Sequence, residues 1–520
     1  MIQEAASLSV PEVLRRTAAR VPDRVALLSE LREMTWAEID DESARLATLL
    51  SQVGIGFGDV VGFMIDKRPE VVVGMLACYR LGAIMAPINF KLHPDRIRDQ
   101  IETSGISALF TQSSRAPLLA KLQALVTDDS RRIISIDAPE GVSVTRYVEL
   151  TGCPPLPIDP RVDADTPCYY NYTSGTTGRP KGAVTTHRHI NENALSTISG
   201  LGFTEDDIFL GMFSVFAHPH ELFHRSVVVG GAFAILDSLS PRRIAQLVEH
   251  FKVTWMMAVP SFYEMMLDYA QVPGQREGHD LSSLRLLESG GAFVGAETLA
   301  RMEGAFGAQL VPVWGCTEAT GVALANGPGD WRRPGATGRP VPGYEIRVVD
   351  DAGNDVPTGQ VGEMLLRGPA VASSYVNQPD ATAAAFVAGD WYRTSDLVRL
   401  DEDGFVFFSG RHSEMLKIGG IRVYPLEIEK VLCLHPLVRG AVVVRAEERL
   451  RGEIARAVVE AEPGSGLTVR DLQRWCREYL ANYKVPRLIE FWTAIPKLPN
   501  GKVDKRAVTA VEPDGSRDER

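Results

Sequence analysis

The sequence predicts an α/β protein in two parts: a large N-terminal domain of layered α/β sheets that also carries a small distorted barrel, and a smaller α+β C-terminal domain. Three observations predict it. Short apolar runs alternate with longer amphipathic stretches from about Gly231 to Trp314, Gly- and Pro-punctuated β-rich runs follow Gly335, and a shorter α/β pattern begins beyond Gly410. At 520 residues the chain also exceeds what one hydrophobic core usually organises. The expected division is 1–410 and 411–520.

The first pattern supplies the elements that position a site. Ala232–Leu236, Val253–Val259, Leu284–Glu288 and Leu310–Trp314 read as strands, and Pro241–Phe251, Ser261–Tyr269 and Gly295–Phe306 as helices. Strands separated by helices imply right-handed crossovers and a mainly parallel sheet covered on both faces. Ligands of such sheets bind beyond the carboxyl ends of the strands. Those ends carry Pro260–Ser261, Ser289-Gly290-Gly291-Ala292 and Gly315-Cys316-Thr317-Glu318, all small, polar or acidic. In the second pattern Tyr344–Val349, Glu363–Arg367 and the pair around Asp401–Gly404 read as barrel-like β-structure. In the third, Leu426–Leu434 and Val469–Leu480 read as helices and Ala441–Arg445 and Leu488–Trp492 as strands.

Composition excludes several classes. A formal charge of −11 argues against a nucleic-acid partner, which needs clustered Lys and Arg. The longest apolar stretch, Val71–Tyr79, is too short to cross a bilayer and is flanked by Glu70 and Arg80, so it reads as a buried helix. Residues Met1–Val10 carry Glu4 and no basic cluster, unlike a secretory signal, so a cytoplasmic location is expected. Cys78, Cys153, Cys168, Cys316, Cys433 and Cys476 are scattered and form no C-x-x-C pair, which suits reduced thiols in a core.

The strongest chemical signal is Tyr172–Gly182, YTSGTTGRPKG. Three glycines let backbone N–H groups close on an anion, the hydroxyls of Thr173, Ser174, Thr176 and Thr177 can donate to phosphate oxygens, and Lys181 adds positive charge. Pro180 stands where a Walker A loop would have its second Gly. The stretch resembles the signature loop of the adenylate-forming superfamily of acyl-CoA synthetases, peptide-synthetase adenylation domains and luciferases. Further segments resemble that family in the same order: Trp314-Gly315-Cys316-Thr317-Glu318, Trp391–Asp396, Gly410-Arg411, Lys417–Glu429 and Pro499–Asp504. Together they look most like a bacterial-type acyl- or aryl-CoA ligase.

The resemblance implies ATP, Mg²⁺ and CoA as reactants or cofactors, with a small carboxylic acid as the substrate. It implies Lys502 on the acid carboxylate and α-phosphate, Thr317 on the α-phosphate, Glu318 on Mg²⁺, and Thr173, Ser174, Gly175, Thr176 and Thr177 around the β- and γ-phosphates, with Lys181 supporting that loop. Gly291, Ala292, Trp314 and Gly315 would bracket adenine, and Asp396 with Arg411 would hold ribose. Phe216, His218, Gly290 and Gly315 would line the acid pocket. Residues 411–520 become a mobile lid that presents Gly419 and Gly420 to the thiol. A carrier-protein thiol or an amine is the alternative acceptor, and a homodimer is compatible with the same reading. Ser214 stands where many acyl-CoA ligases carry His, and Ser413 where a charged hinge residue is common. Phe213, Phe223, Trp255, Met256, Met257, Phe262 and Tyr263 are further candidates for an apolar pocket. Arg225 and the nearby histidines are candidates for reading a second polar group on the acid.

A motif of another class competes. His220-Glu221-Leu222-Phe223-His224 fits H-E-x-x-H, which on a helix presents two zinc ligands and a general base. No third ligand accompanies it in the sequence.

Overall fold

The computed structural model describes residues 2–126, 132–138, 143–173, 181–271, 279–291, 294, 296–327, 329, 332–418, 421–448, 452–497 and 503–511. Packing divides the chain into two compact units. The first holds Met1–Arg332, Gly338–Glu345 and Leu366–Tyr392, and the second holds Arg333–Thr337, Ile346–Leu365 and Arg393–Arg520. Compactness thus groups residues 393–410 with the C-terminal part.

The first unit contains two sheets. One has nine strands in the order 339–340, 321–325, 309–316, 286–289, 255–258, 208–211, 232–235, 25–29 and 34–35. Its six central strands, from Gln309–Cys316 to Val25–Ser29, are all parallel, and only the flanking pairs run antiparallel. The expected strands and crossover helices are therefore present, as Ala232–Ile235, Trp255–Ala258, Leu286–Ser289 and Gln309–Cys316 with Pro241–Phe251, Pro260–Gln271 and Ala296–Phe306. In Pro241–Phe251, Ile244, Ala245, Leu247 and Val248 form the buried stripe, Pro opens the helix and Lys252 at φ 54° ends it. That stripe joins Leu210, Met256, Leu287 and Leu310 of four neighbouring strands in one core. Each such side chain contributes about 1.5–3 kcal/mol on burial.

The other sheet has seven strands in the order 145–146, 133–135, 106–111, 60–64, 84–87, 167–172 and 182–186. All pairs are parallel except the last, a hairpin. Val71–Tyr79 lies within the helix Pro69–Leu81, buried along that whole stretch and ended by Gly82 at φ 68°. No helix among the described residues is long and apolar enough to cross a membrane.

In the second unit, Val438–Glu448 and Gly452–Ala461 pair antiparallel, and Leu488–Phe491 runs parallel to the latter. The helices Pro425–Cys433 and Val469–Tyr479 bury Ile428, Leu432, Leu472 and Cys476 against Val443 and Ala457. Thr468 and Asp471 form a reciprocal capping box that opens the second helix, worth about 1 kcal/mol. Strand Val406–Arg411 pairs with the preceding strand, so Asp396 lies opposite Arg411. All six cysteines are free; Cys78, Cys153, Cys168 and Cys476 are buried, Cys316 half-buried and Cys433 exposed.

Candidate active site

The glycine- and hydroxyl-rich stretch is the connection of a β-hairpin. Pro167–Tyr172 and Gly182–Thr186 pair antiparallel, Tyr172 lies opposite Gly182, and the Thr173 amide donates to the Lys181 carbonyl at 2.9 Å. Both ends of the loop are thereby clamped. Ser174, Gly175, Thr176 and Thr177 lie outside the described residues. A methyl group on Gly182 would come within 2.8 Å of Val376 and 2.9 Å of the Tyr172 ring, so the close approach requires glycine.

Tyr375 ties this hairpin to the second motif. The Val376 amide donates to the Gly182 carbonyl at 2.8 Å, and Ala183 bridges Tyr375. The Lys181 ammonium lies 5.2 Å from the centre of the Tyr375 ring, within cation–π range. On its other side the Tyr375 hydroxyl donates to the Glu318 carboxylate, and Tyr392 lies near enough to feel that charge. Burial above all pushes both hydroxyls well above the ordinary tyrosine range, so they remain donors. Glu318 is 5% exposed, and among the described residues no cation lies within ion-pair distance of it.

Glu318 is aimed by the turn it sits in. Gln309–Cys316 continues past Trp314, reverses through Ala319–Cys316 and Thr320–Thr317 backbone bonds of 3.2 and 3.1 Å, and returns as Gly321–Ala325. The sequence indicated the strand but not this return. A Cβ on Gly315 would lie 2.2 Å from the Gly321 carbonyl oxygen, so only glycine fits. Thr317 and Trp314 are half-buried beside it. Gly290 and Gly291 follow the neighbouring strand Leu286–Ser289, with Gly291 at φ 85°. Ala292 lies outside the described residues.

Phe216 and His218 are half-buried. His218 adopts φ 51° and its Nδ1 lies 3.2 Å from Asn171 Nδ2. Of the other candidate pocket residues, Phe213 and Met257 are half-buried, whereas Phe223, Trp255, Met256, Phe262 and Tyr263 belong to the core. Arg225 is not available to a substrate: its guanidinium binds both oxygens of Glu288, whose Oε1 also accepts from Trp255 Nε1 at 2.6 Å.

The competing H-E-x-x-H pattern, a remote alternative from the sequence, does not form a zinc-binding helix. Pro219–Leu222 is a 3₁₀ turn, Phe223 breaks it at φ −141°, and a new helix starts at His224. The two imidazoles therefore do not share one α-helical face. His220 Nε2 lies 2.8 Å from the Thr320 carbonyl and His224 Nε2 lies 2.7 Å from Asn191 Oδ1, partners on different elements. No group of three or more metal-ligating side chains occurs among the described residues.

In the second unit Asp396 is buried and its Oδ1 lies 3.1 Å from Arg411 Nε, while its amide donates to Thr394 Oγ1 at 3.1 Å. Gly419, Gly420 and Lys502 lie outside the described residues. Lys505, just beyond that loop, pairs with Glu414 at 2.7 Å and Glu429 at 3.1 Å. No role was legible in the sequence for Tyr375, Tyr392 or Lys505, because each is defined by partners distant in the chain.

Comparison with known proteins agrees with these elements. Residues 14–376 match the AMP-binding enzyme family, and residues 427–502 match the AMP-binding enzyme C-terminal domain. The chain is 32% identical over 505 residues to the indoleacetate–CoA ligase of Aromatoleum aromaticum, covering 96% of this chain and 97% of that one. Among solved structures, an anthranilate CoA ligase in complex with anthranoyl-AMP superimposes with a TM-score of 0.88 at 28% identity, covering 97% of each chain. An amide bond synthetase from Marinactinospora thermotolerans gives 0.85 at 25% identity, covering 96% of this chain and 99% of that one. A hairpin connection clamped at both ends, a buried carboxylate held by Tyr375 and a match spanning both parts lead to one conclusion: the chain belongs to the AMP-binding enzyme family, the adenylate-forming acyl- and aryl-CoA ligases, and is an AMP-forming ligase of the acyl-CoA synthetase type.

Proposed function

We propose that the enzyme joins a carboxylic acid to CoA through an acyl-adenylate, releasing pyrophosphate. One observation carries the reading: Tyr375 holds together the Lys181 end of the anion loop and the Glu318 carboxylate, which has no cation within ion-pair distance among the described residues. A carboxylate does not react with a thiol at neutral pH because oxide would have to leave; adenylation replaces it with AMP. The acid attacks the α-phosphorus of ATP in line, and two anions must meet. The protein's work is then to position them and neutralise charge.

Thr173, Ser174, Gly175, Thr176 and Thr177 bind the β- and γ-phosphates, with Lys181 supporting them. Thr317 binds the α-phosphate, and Lys502 the α-phosphate and the acid carboxylate. Gly291, Ala292, Trp314 and Gly315 enclose adenine, and Asp396 with Arg411 holds ribose. Glu318 fits Mg²⁺, being a buried oxygen donor without a cationic partner among the described residues; when bound, the ion would neutralise phosphate charge. In the second half-reaction residues 411–520 turn as a lid, withdraw Lys502 and bring Gly419 and Gly420 to the thiol. Phe216, His218, Gly290 and Gly315 line the acid site. The half-buried Phe213, Phe216 and Met257 favour an aryl or medium-length acid, in keeping with relatives named for indoleacetate and anthranilate. We place the enzyme in the cytoplasm, where ATP and CoA are available.

A second reading has an amine or a carrier-protein thiol accept the acyl group, and the amide bond synthetase relative favours the amine. A pyrophosphate-release assay over a panel of acids, with and without CoA, decides. Release should require ATP, Mg²⁺ and an aryl or medium-length acid, and thioester should form only with CoA present. Pyrophosphate release that yields no thioester, but amide when an amine is added, would favour the second reading; no release with any acid would refute both.

A further inference from the structure

Strands from both sheets of the first unit end at one cluster of charge. Asp66 and Lys67 follow Val60–Met64, Phe90 and Lys91 follow Ile84–Pro87, and Arg115 follows Ile106–Thr111. From the other sheet, Phe216 follows Ile208–Gly211 and Asp237 follows Ala232–Ile235. Contacts join these ends. Lys67 Nζ donates to the Gly211 carbonyl at 2.9 Å, Arg115 pairs with Asp66, and the Arg115 guanidinium stacks 3.8 Å from the centre of Phe90, which meets Phe216 edge-on at 5.9 Å. The Asp237 carboxyl feels Lys67, Lys91 and Arg115 and, in the opposite sense, Asp66; burial is the largest influence and raises it above the usual range. The carboxyl ends of parallel strands are where such sheets bind ligands.

Within the cluster the charges are compensated unequally. Asp66 is fully engaged, by Arg115 and by the Gln112 side-chain amide at 2.8 Å. Lys67 is not. It is only 8% exposed, its ammonium has three donors, and the Gly211 carbonyl is its one acceptor among the described residues, with no carboxylate within ion-pair distance. A buried charge without an anion is costly to maintain. Burial pushes this lysine down to about 8, partly opposed by Asp237. Lys91 is exposed and Arg115 half-buried, so they form the outer side of the cluster.

We propose that Lys67, with Lys91 and Arg115 at its outer side, is an anion subsite for one of the enzyme's organic substrates. The proposal rests on the ligase reading above, because Phe216 connects the cluster to the acid site. The chemistry recognised is a carboxylate or phosphate attached to an apolar body that packs on Phe90 and Phe216. Two substrates could supply it: an acid with a second carboxylate, or CoA through its phosphates.

The experiment compares paired probes in the wild type, Lys67→Met, Lys67→Arg and Lys91→Ala. One arm sets suberate and terephthalate against their monomethyl esters in pyrophosphate release; the other sets CoA against pantetheine in thioester formation. In the arm that uses the subsite, the preference in kcat/KM for the anionic probe should fall about ten- to a hundredfold in Lys67→Met and several-fold in Lys91→Ala. Lys67→Arg should retain most of it, which separates charge recognition from packing. Which arm responds identifies the source. Unaltered preferences in both arms, in folded variants, would overturn the subsite, and Lys91→Ala keeps the test open should Lys67→Met fail to fold. Failure of the ligase reading looks different: the wild type releases no pyrophosphate, and the same pairs are then read by calorimetric binding.

Discussion

Glu288 and Glu318 are both buried carboxylates, one at the end of Leu286–Ser289 and the other just past the adjacent strand Gln309–Cys316, yet their surroundings assign them opposite tasks. Glu288 is neutralised by the Arg225 guanidinium and held by Trp255. Among the described residues Glu318 meets a tyrosine hydroxyl and no cation within ion-pair distance. A buried carboxylate with a protein cation holds a fold together, whereas one with neutral donors is poised to receive a cation. Glu221 falls between them: Arg225 attracts it electrostatically, but its Oε1 has no hydrogen-bond partner, and burial pushes the group up to about 7.

The largest effect should come from breaking the structural pair. Glu288→Ala leaves Arg225 buried without its ion-pair partner, which costs on the order of 3–5 kcal/mol. Denaturant unfolding measures it, and a loss under 1 kcal/mol would mean that solvent already reaches the pair.

Glu318→Gln should behave in the opposite way. Adenylation should slow several hundredfold, on the order of 3–4 kcal/mol of transition-state binding, with unfolding free energy within about 1 kcal/mol of wild type. A variant that unfolds easily yet turns over normally would reverse the assignment of the two carboxylates.

Glu221 sharpens the comparison through pH. Its folded pKa is raised to about 7 from 4.5, so between those values the folded state holds a proton that the unfolded state has released. Stability then falls as pH rises through this window, and the loss is complete above the folded value. Relative to Glu221→Gln, the wild type should lose roughly 2–4 kcal/mol between pH 4 and 8, read from unfolding curves at each pH. Parallel pH profiles for the two proteins would show that the carboxyl titrates in the folded state as it does in the unfolded chain.

The smallest effect is expected of Tyr375→Phe, which removes one donor to Glu318 but keeps the ring near Lys181. A single hydrogen bond of this kind contributes about 0.5–1.5 kcal/mol, so adenylation should slow about two- to tenfold and the Mg²⁺ requirement should shift upward. No change in either would mean that this hydroxyl does not hold the carboxylate.

The sequence by itself determined the strand–helix alternation from Ala232 to Trp314, the parallel sheet it implies, and the segments beyond the strand ends that carry Gly290, Gly315 and Glu318. These are legible because apolar periodicity and turn residues are local properties of the chain. It also determined the family, since the YTSGTTGRPKG and WGCTE segments are contiguous. Only the tertiary structure decided which side chains are engaged and which are left open. Arg225 was a candidate for reading the substrate until Glu288, from another element, was found occupying it. His220 and His224 fit a zinc pattern until the chain broke at Phe223 and turned their rings to separate partners. No local signal gave Tyr375 or Lys67 its role. The role of each depends on charges and carbonyls brought beside it by strands far away in sequence, and electrostatic compensation is a property of that neighbourhood rather than of the residue.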